Sequence, residues 1–360
     1  MSKISSGQLF TLLLVSSAFS FMCGRGSYSL DAILGTAIGT CIQLLLVIPM
    51  LLLYEKHAFS FSQYAASRKA VPLLFALYGV LMGSSALVQL WDAAGSLHLP
   101  VSTPMLSAAL IAAVCLYTSS LGIKALARSS AVVFGILLVT LVVLLVGAYS
   151  NFQLQFVARS EEHTLLKSTL HAAANMDLLP MLFLLLDVAG KRRIAGTVGY
   201  LTGSFLLTAL LMFLGMGVLG PLMQQAEFPF FMMTTVSQPL RTQRSDALYI
   251  LVFVMLCVIR ITLFAAMSAH LLGFSFQKLQ GRSTICLGAM LLRLIIQVIL
   301  VVAGAILILF VAGHSNSGGG GGGGAARMVY RDDHGNCFNS RAEANKSNER
   351  IAERRAESMI

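Results

Sequence analysis

Long apolar stretches alternate with short polar links along most of this chain. Windows able to cross hydrocarbon as helix fall near 8–24, 30–54, 71–91, 104–123, 130–149, 168–189, 195–219, 246–272 and 284–312. A span needs about 20 apolar residues at the helical rise per residue. The pattern therefore predicts an all-α polytopic membrane protein with nine transmembrane helices.

The sharpest departure from apolarity lies between Phe228 and Leu272. After Phe228-Pro229, a polar link from Ser237 to Gln243 leads to Arg244-Ser245-Asp246, and from there to Leu272 nearly every residue is apolar. Asp246 stands where a first-turn carboxylate meets the positive end of a helix. Arg244, two residues earlier, falls near headgroup level. Arg260 sits about midway along the span, too far from its start to reach the interface. A guanidinium in hydrocarbon costs about 3 kcal/mol on insertion scales, so it is expected to face the bundle interior and find a partner there.

Two other predicted spans carry polar residues. The first holds Ser16, Ser17 and Ser20, with Ser16 and Ser20 one helical turn apart. The sixth holds Asn175 and Asp177, followed by Pro180, which removes a backbone N–H and interrupts the helix. In transporters built from inverted repeats, spans broken at corresponding places expose helix ends and carbonyls to a midplane substrate. Spans one and six correspond if each repeat has five spans. Ser16, Ser17, Ser20, Asn175, Asp177 and Arg260 are therefore the candidate ligand-binding residues. The plainer alternatives are serines that bond back to their own helix and a proline that only kinks it. Arg260 is the expected partner of Asp177. Arg293, one turn from Gln297 in the last window, is the alternative partner. Gln43 and Gln89 read as interhelical hydrogen bonds, and His171 as packing.

Composition and charge narrow the functional classes. Hydrophobic residues make up 57% of the chain and charged ones 11%, with a mean hydropathy of +0.80, far from the soluble norm of about 25% charged. The formal charge of +10 lies largely in short links, where it sets topology, so a nucleic-acid role is rejected. With the N-terminus cytoplasmic, the inner side receives Lys3, Lys56, Arg68, Lys69, Lys124, Arg128, Lys191, Arg192, Arg193, Lys278 and Arg282. The outer links receive only Arg25, Arg159, Lys167, Arg241 and Arg244, and eleven against five predicts that orientation. No small-residue cleavage pattern follows Leu9–Met22, so the first window reads as a retained span. The six cysteines have no paired spacing and read as packing residues. No serine–histidine–acid arrangement, HExxH, P-loop or clustered metal ligands occur. Neither enzymatic activity nor a cofactor is expected.

The composition changes past Gly313. Residues 314–324 form a Ser/Gly-rich linker containing seven consecutive glycines, Gly318–Gly324. Residues 325–360 form a polar tail expected to be disordered. Residues 1–313 then make the membrane domain. An odd number of spans puts this tail, with its seven Lys and Arg, outside. One explanation is loss of a tenth span, for example by a frameshift in the glycine-coding tract, and a native tail is the other.

Four short stretches resemble the B-subunit family of endospore germinant receptors, within the amino acid–polyamine–organocation transporter superfamily. They are the opening Ile4-Ser5-Ser6-Gly7-Gln8-Leu9-Phe10, the segment Gly122-Ile123-Lys124-Ala125-Leu126-Ala127-Arg128, the cluster Lys191-Arg192-Arg193, and Phe228-Pro229 followed by Gln243-Arg244-Ser245-Asp246. Gly122, Arg128, Pro229, Arg244 and Asp246 are the family-motif positions. The resemblance implies a LeuT-like inverted-repeat fold of ten helices, sensing of a small amino-acid-type germinant, and assembly with A- and C-type receptor subunits in the spore inner membrane. The chain departs from the family in its first span, where Phe19-Ser20-Phe21 replaces a glycine-containing break. It also lacks a clear match to the family's span-six glutamate. An amino acid permease coupled to H⁺ or Na⁺ is the alternative function, and a membrane scaffold without a ligand is a third.

Overall fold

The structure, a computed structural model, describes residues 4–23, 28–56, 60–61, 64, 70–96, 104–157, 164–174, 177–190, 192–226, 228–237 and 246–277. The candidates Asn175 and Arg244, the window at 284–312 with Arg293, the linker 314–324 and the tail 325–360 lie outside these residues. The helices in chain order are α1 (Ser6–Met22), α2 (Leu30–Lys56), α3 (Ala70–Ser96), α4 (Pro104–Ser120), α5 (Ile123–Tyr149), α6 (Thr164–Ala174), α7 (Leu179–Val188), α8 (Arg193–Leu219), α9 (Leu222–Gln225), α10 (Pro229–Val236) and α11 (Asp246–Gln277). A 3₁₀ turn, Leu154–Phe156, follows α5. Among the described residues, extended pairing is confined to one bridge between Ile4 and Ala189.

Five of these helices, α2, α3, α5, α8 and α11, are long and apolar enough to cross a membrane. Their outward faces carry Leu45, Leu46, Val139, Val142 and Val146, all exposed. Such faces fit a lipid surface, where a helix satisfies its own backbone and apolar side chains meet acyl chains. The described residues are thus nearly all helical, with the character of an integral membrane protein.

Two boundaries differ from expectation. Helix α5 begins at Ile123, so Lys124 and Arg128, expected in a link, occupy its first turns. The cause is Gly122, whose φ of 89° ends one helix and starts the next without a linker. Helix α3 continues to Ser96, beyond the window near 71–91. The sixth window is interrupted next to Pro180, as expected, with Asp177 and Leu178 in a turn before α7.

Local chemistry fixes the ends that matter for the site. Helix α1 opens with a reciprocal cap, in which the Gln8 N–H donates to Ser5 Oγ at 3.2 Å and the Ser5 N–H to Gln8 Oε1 at 3.1 Å. Just before it, the Ile4 N–H donates to the Val188 carbonyl at 3.1 Å and the Gly190 N–H returns to the Ile4 carbonyl at 2.9 Å. The start of α1 is thereby tied to the end of α7.

Helix α11 is the core of the bundle. Of its apolar window 72% is buried, against 22% for α2, which is what an all-round apolar sequence demands of a helix. It packs on α1, α3, α4 and α5. Phe253 lies 5.1 Å from the Phe19 ring centroid, the Thr262 and Thr118 hydroxyls are 2.9 Å apart, and Ser268 Oγ donates to the Ala76 carbonyl at 3.1 Å. Small residues let α2 and α6 approach closely. A Cβ built on Gly35 would stand 2.7 Å from Ser168 Cβ, and one on Gly39 would stand 2.6 Å from Ala172 Cβ.

Candidate functional site

The break between α6 and α7 brings a carboxylate into the bundle. After α6, described as far as Ala174, Asp177 and Leu178 form a turn, α7 begins at Leu179, and Pro180 in the first turn of α7 lacks the N–H that a continuous helix would use. A helix end inside the protein leaves carbonyls to be satisfied from elsewhere. Gln43 Nε2 of α2 donates to the Ala172 carbonyl at 2.6 Å. The Tyr78 hydroxyl of α3 donates to the Asp177 carbonyl, also at 2.6 Å. Replacing Gln43 with Leu leaves the Ala172 carbonyl without this donor and is expected to lower stability by about 1 kcal/mol. Thermal unfolding of the purified variant in detergent checks this.

Arg260 crosses to the break from the centre of α11 and is 3% exposed. Its Nη2 forms an ion pair with Asp177 Oδ2. Its Nη1 donates to the Ser16 carbonyl of α1 at 2.9 Å. Ser20 Oγ, one turn further along α1, donates to the same Asp177 oxygen at 3.0 Å. The guanidinium carbon stands 5.3 Å from the centroid of the Phe264 ring, one turn away on α11, a contact that further stabilises a desolvated cation. Two buried polar atoms here have no hydrogen-bond partner among the described residues, Arg260 Nε and Ser16 Oγ. The cluster thus joins three elements, α1, the α6–α7 break and α11, through one charged pair in a low-dielectric surround.

The sequence-derived candidates divide as follows. Ser16, Ser20, Asp177 and Arg260 meet, although Ser16 contributes its main-chain carbonyl. Ser17 Oγ donates back to the Leu14 carbonyl at 3.0 Å and lies within hydrogen-bonding reach of the Tyr200 side chain, without touching the pair. Asn175 lies outside the described residues. Of the family-motif positions, Gly122 sits at the α4–α5 junction, Arg128 is exposed on α5, and Pro229 is buried in the first turn of α10. The backbone of Asp246 starts α11 as expected, and Arg244 lies outside the described residues. Of these, Gly122, Arg128 and Pro229 lie apart from the charged cluster. His171, expected to pack, is exposed on α6.

Sequence inspection missed Tyr78, a hydroxyl inside the apolar run of α3, and Asp187, a carboxylate near the end of α7. Asp187 Oδ1 accepts from the Phe61 N–H at 3.0 Å and Oδ2 from Ser60 Oγ at 3.4 Å. Nearby, the Tyr54 hydroxyl donates to the Phe183 carbonyl at 2.6 Å, and the Arg193 guanidinium lies 5.8 Å from the Tyr54 ring centroid. The signal for both misses was available, since each is a polar group in an apolar run.

Among the described residues, no three His, Cys, Asp or Glu side chains gather in a way that would hold a metal ion. A cavity of about 20 Å³ lies beside the break, lined in part by Leu13, Gln43, Leu178, Thr197 and Tyr200. That is room for little more than one water molecule. Compared with known proteins, the chain matches no family model and is not similar to any curated protein.

Proposed function

We propose that this chain is a membrane-embedded binding protein for a small amino-acid-type ligand. In this role it serves as the membrane subunit of a germinant receptor, beside A- and C-type subunits in the spore inner membrane. The observation that carries the binding role is the buried pair of Arg260 and Asp177 at a helix break facing α1. Unwound backbone next to opposite charges deep in a bundle is the kind of place where transporter-like proteins hold polar ligands. The sensor role rests on the sequence resemblance. A permease coupled to H⁺ or Na⁺ is the second reading, favoured by the same broken helix. Helix α1 weighs against it, because it runs unbroken from Ser6 to Met22 past Ser16 and Ser20, so only one of two corresponding spans is interrupted.

Reconstitution separates these roles. Proteoliposomes carrying the full chain are expected to bind a radiolabelled amino acid from the proteinogenic set without accumulating it under an imposed H⁺ or Na⁺ gradient. Gradient-driven accumulation establishes the permease instead. Absence of binding across the whole set defeats both readings and leaves a scaffold. For the sensor role, co-purification of A- and C-type subunits with the tagged chain from spore membranes is the expected result. A chain from an organism that forms no spores would end it.

A further inference from the structure

We infer that the first two turns of α5 bind an anionic phospholipid, with Lys124 and Arg128 on its phosphate and an acyl chain along the apolar stripe that continues from them. This surface is separate from the Arg260–Asp177 pair and does not depend on the ligand role proposed above.

Helix α5 starts against its own electrostatics. The positive end of a helix favours carboxylates over cations, yet the first turn of α5 carries no acidic residue, and Gly122 before it offers no side chain to cap a backbone N–H. Lys124 stands in that turn and Arg128 one turn later, both exposed. Like charges four residues apart on a helix repel each other. Among the described residues, neither side chain takes part in an ion pair or a hydrogen bond. An anion supplied from outside the chain relieves both conflicts at once, and arginine and lysine are the two side chains that suit a phosphate.

The source of that anion follows from where the turn stands. Helix α5 has 27 residues, a length of about 40 Å against a hydrocarbon core of about 30 Å. Both of its charged residues lie in the first two turns, followed directly by Ser129 and Ser130, so the excess length falls at this end, in the headgroup layer. From Lys124 and Arg128 the same stripe of the helix continues, in steps of four and three, through Val132, Gly135, Val139 and Val142. The three valines are each more than half exposed. Gly135 is exposed between them, and a Cβ built on it would meet nothing within 4 Å. Among the described residues a phosphate at Arg128 therefore stands at the head of an open apolar track, dented at Gly135, that covers the roughly 15 Å of one leaflet. A soluble phosphate uses the cations alone. A phospholipid uses the cations and the track, and a negative net charge is what the uncompensated pair selects.

The test uses the full chain, purified in a neutral detergent and delipidated. Phosphatidylglycerol and phosphatidylcholine with the same acyl chains are titrated in, and binding is read by native mass spectrometry beside thermal unfolding. Wild type is expected to bind phosphatidylglycerol at least about 10-fold tighter than phosphatidylcholine. Lys124→Gln and Arg128→Gln should each weaken phosphatidylglycerol about 5-fold, the usual contribution of one cation at a lipid surface. The double variant should hold the two lipids within about 2-fold of each other. Lys167→Gln, which removes an exposed cation from α6, should leave the preference unchanged. Without lipid, the double variant should melt at or above wild type, because the repulsion at the helix start is gone. Equal binding of both lipids by wild type overturns the inference, as does a preference that survives the double variant or falls as far in Lys167→Gln. A double variant that melts below wild type without lipid assigns the two cations to the fold and overturns it too. Glycerophosphoglycerol, the same headgroup without acyl chains, should leave melting unchanged at concentrations where the lipid saturates. Stabilisation by it equal to that by the lipid would mean a site for soluble phosphates and contradict the lipid assignment.

Discussion

Replacing Arg260 with alanine is expected to cost the folded protein about 3–5 kcal/mol, because it leaves a buried carboxylate without its counter-charge. Asp177 would keep the Ser20 hydroxyl at 3.0 Å but lose its ion pair, and the Ser16 carbonyl would lose the donor at 2.9 Å. Three elements then lose a shared anchor. The loss should be coupled to Asp177 rather than additive with it. The Arg260→Ala/Asp177→Ala double variant should therefore recover a substantial part of the stability lost by Arg260→Ala alone, since removing both charges removes the stranded one. Arg260→Lys should sit between wild type and alanine, keeping the charge but losing the planar fork. Thermal unfolding of all three in one detergent measures this. Wild-type melting of Arg260→Ala would mean that the guanidinium contributes nothing to the bundle.

The second large effect is expected at Gly39, where Leu should destabilise by about 3 kcal/mol, at the upper end of the usual range for overpacking. A Cβ at this position meets Ala172 Cβ at 2.6 Å and the main-chain atoms Ala173 N and Thr169 O, both at 3.0 Å. No flexible side chain can yield here, so α6 itself has to move away from α2. That movement would also part Gln43 from the Ala172 carbonyl, coupling the packing error to the helix break. Gly39→Ala should show the same direction with a smaller loss. Gly135, whose Cβ would meet nothing within 4 Å, should accept alanine without loss. Melting temperatures of Gly39→Leu, Gly39→Ala and Gly135→Ala, taken together, distinguish close packing from general intolerance of helix glycines.

Much of the charged cluster was legible because hydrocarbon makes charge conspicuous. A lone arginine at the centre of α11 and a carboxylate three residues before Pro180 each need a partner inside the bundle, and they find one another. The serines were legible only in part. Ser20 meets Asp177 through its hydroxyl, as a polar side chain in a span suggests, but Ser16 acts through a carbonyl, which every residue possesses and no letter of the sequence marks. Ser17 shows the common alternative, a hydroxyl satisfied by its own helix. The start of α5 was misplaced because apolarity alone cannot see that Gly122 adopts φ 89° and lets a helix begin among basic residues. Gln43 was recognisable as an interhelical donor, yet its particular task of capping the broken end of α6 depends on the close approach at Gly35 and Gly39. Tyr78 and Asp187 were passed over although each interrupts an apolar run. Among their contacts are main-chain atoms, the Asp177 carbonyl for Tyr78 and the Phe61 N–H for Asp187, which no letter of the sequence marks.

The most direct test of the pairing between α11 and the broken helix is the distance between Arg260 and Asp177 in a lipid bilayer. Solid-state NMR on protein carrying ¹⁵N-guanidinium arginine and ¹³Cγ-aspartate reads it as dipolar recoupling, with Arg260→Lys and Asp177→Asn identifying the signal. An ion pair in hydrogen-bond contact places Nη2 within about 4 Å of the carboxylate carbon, so strong dephasing that disappears in both variants is the expected result. Dephasing identical in wild type and both variants would contradict the pairing on which the site depends.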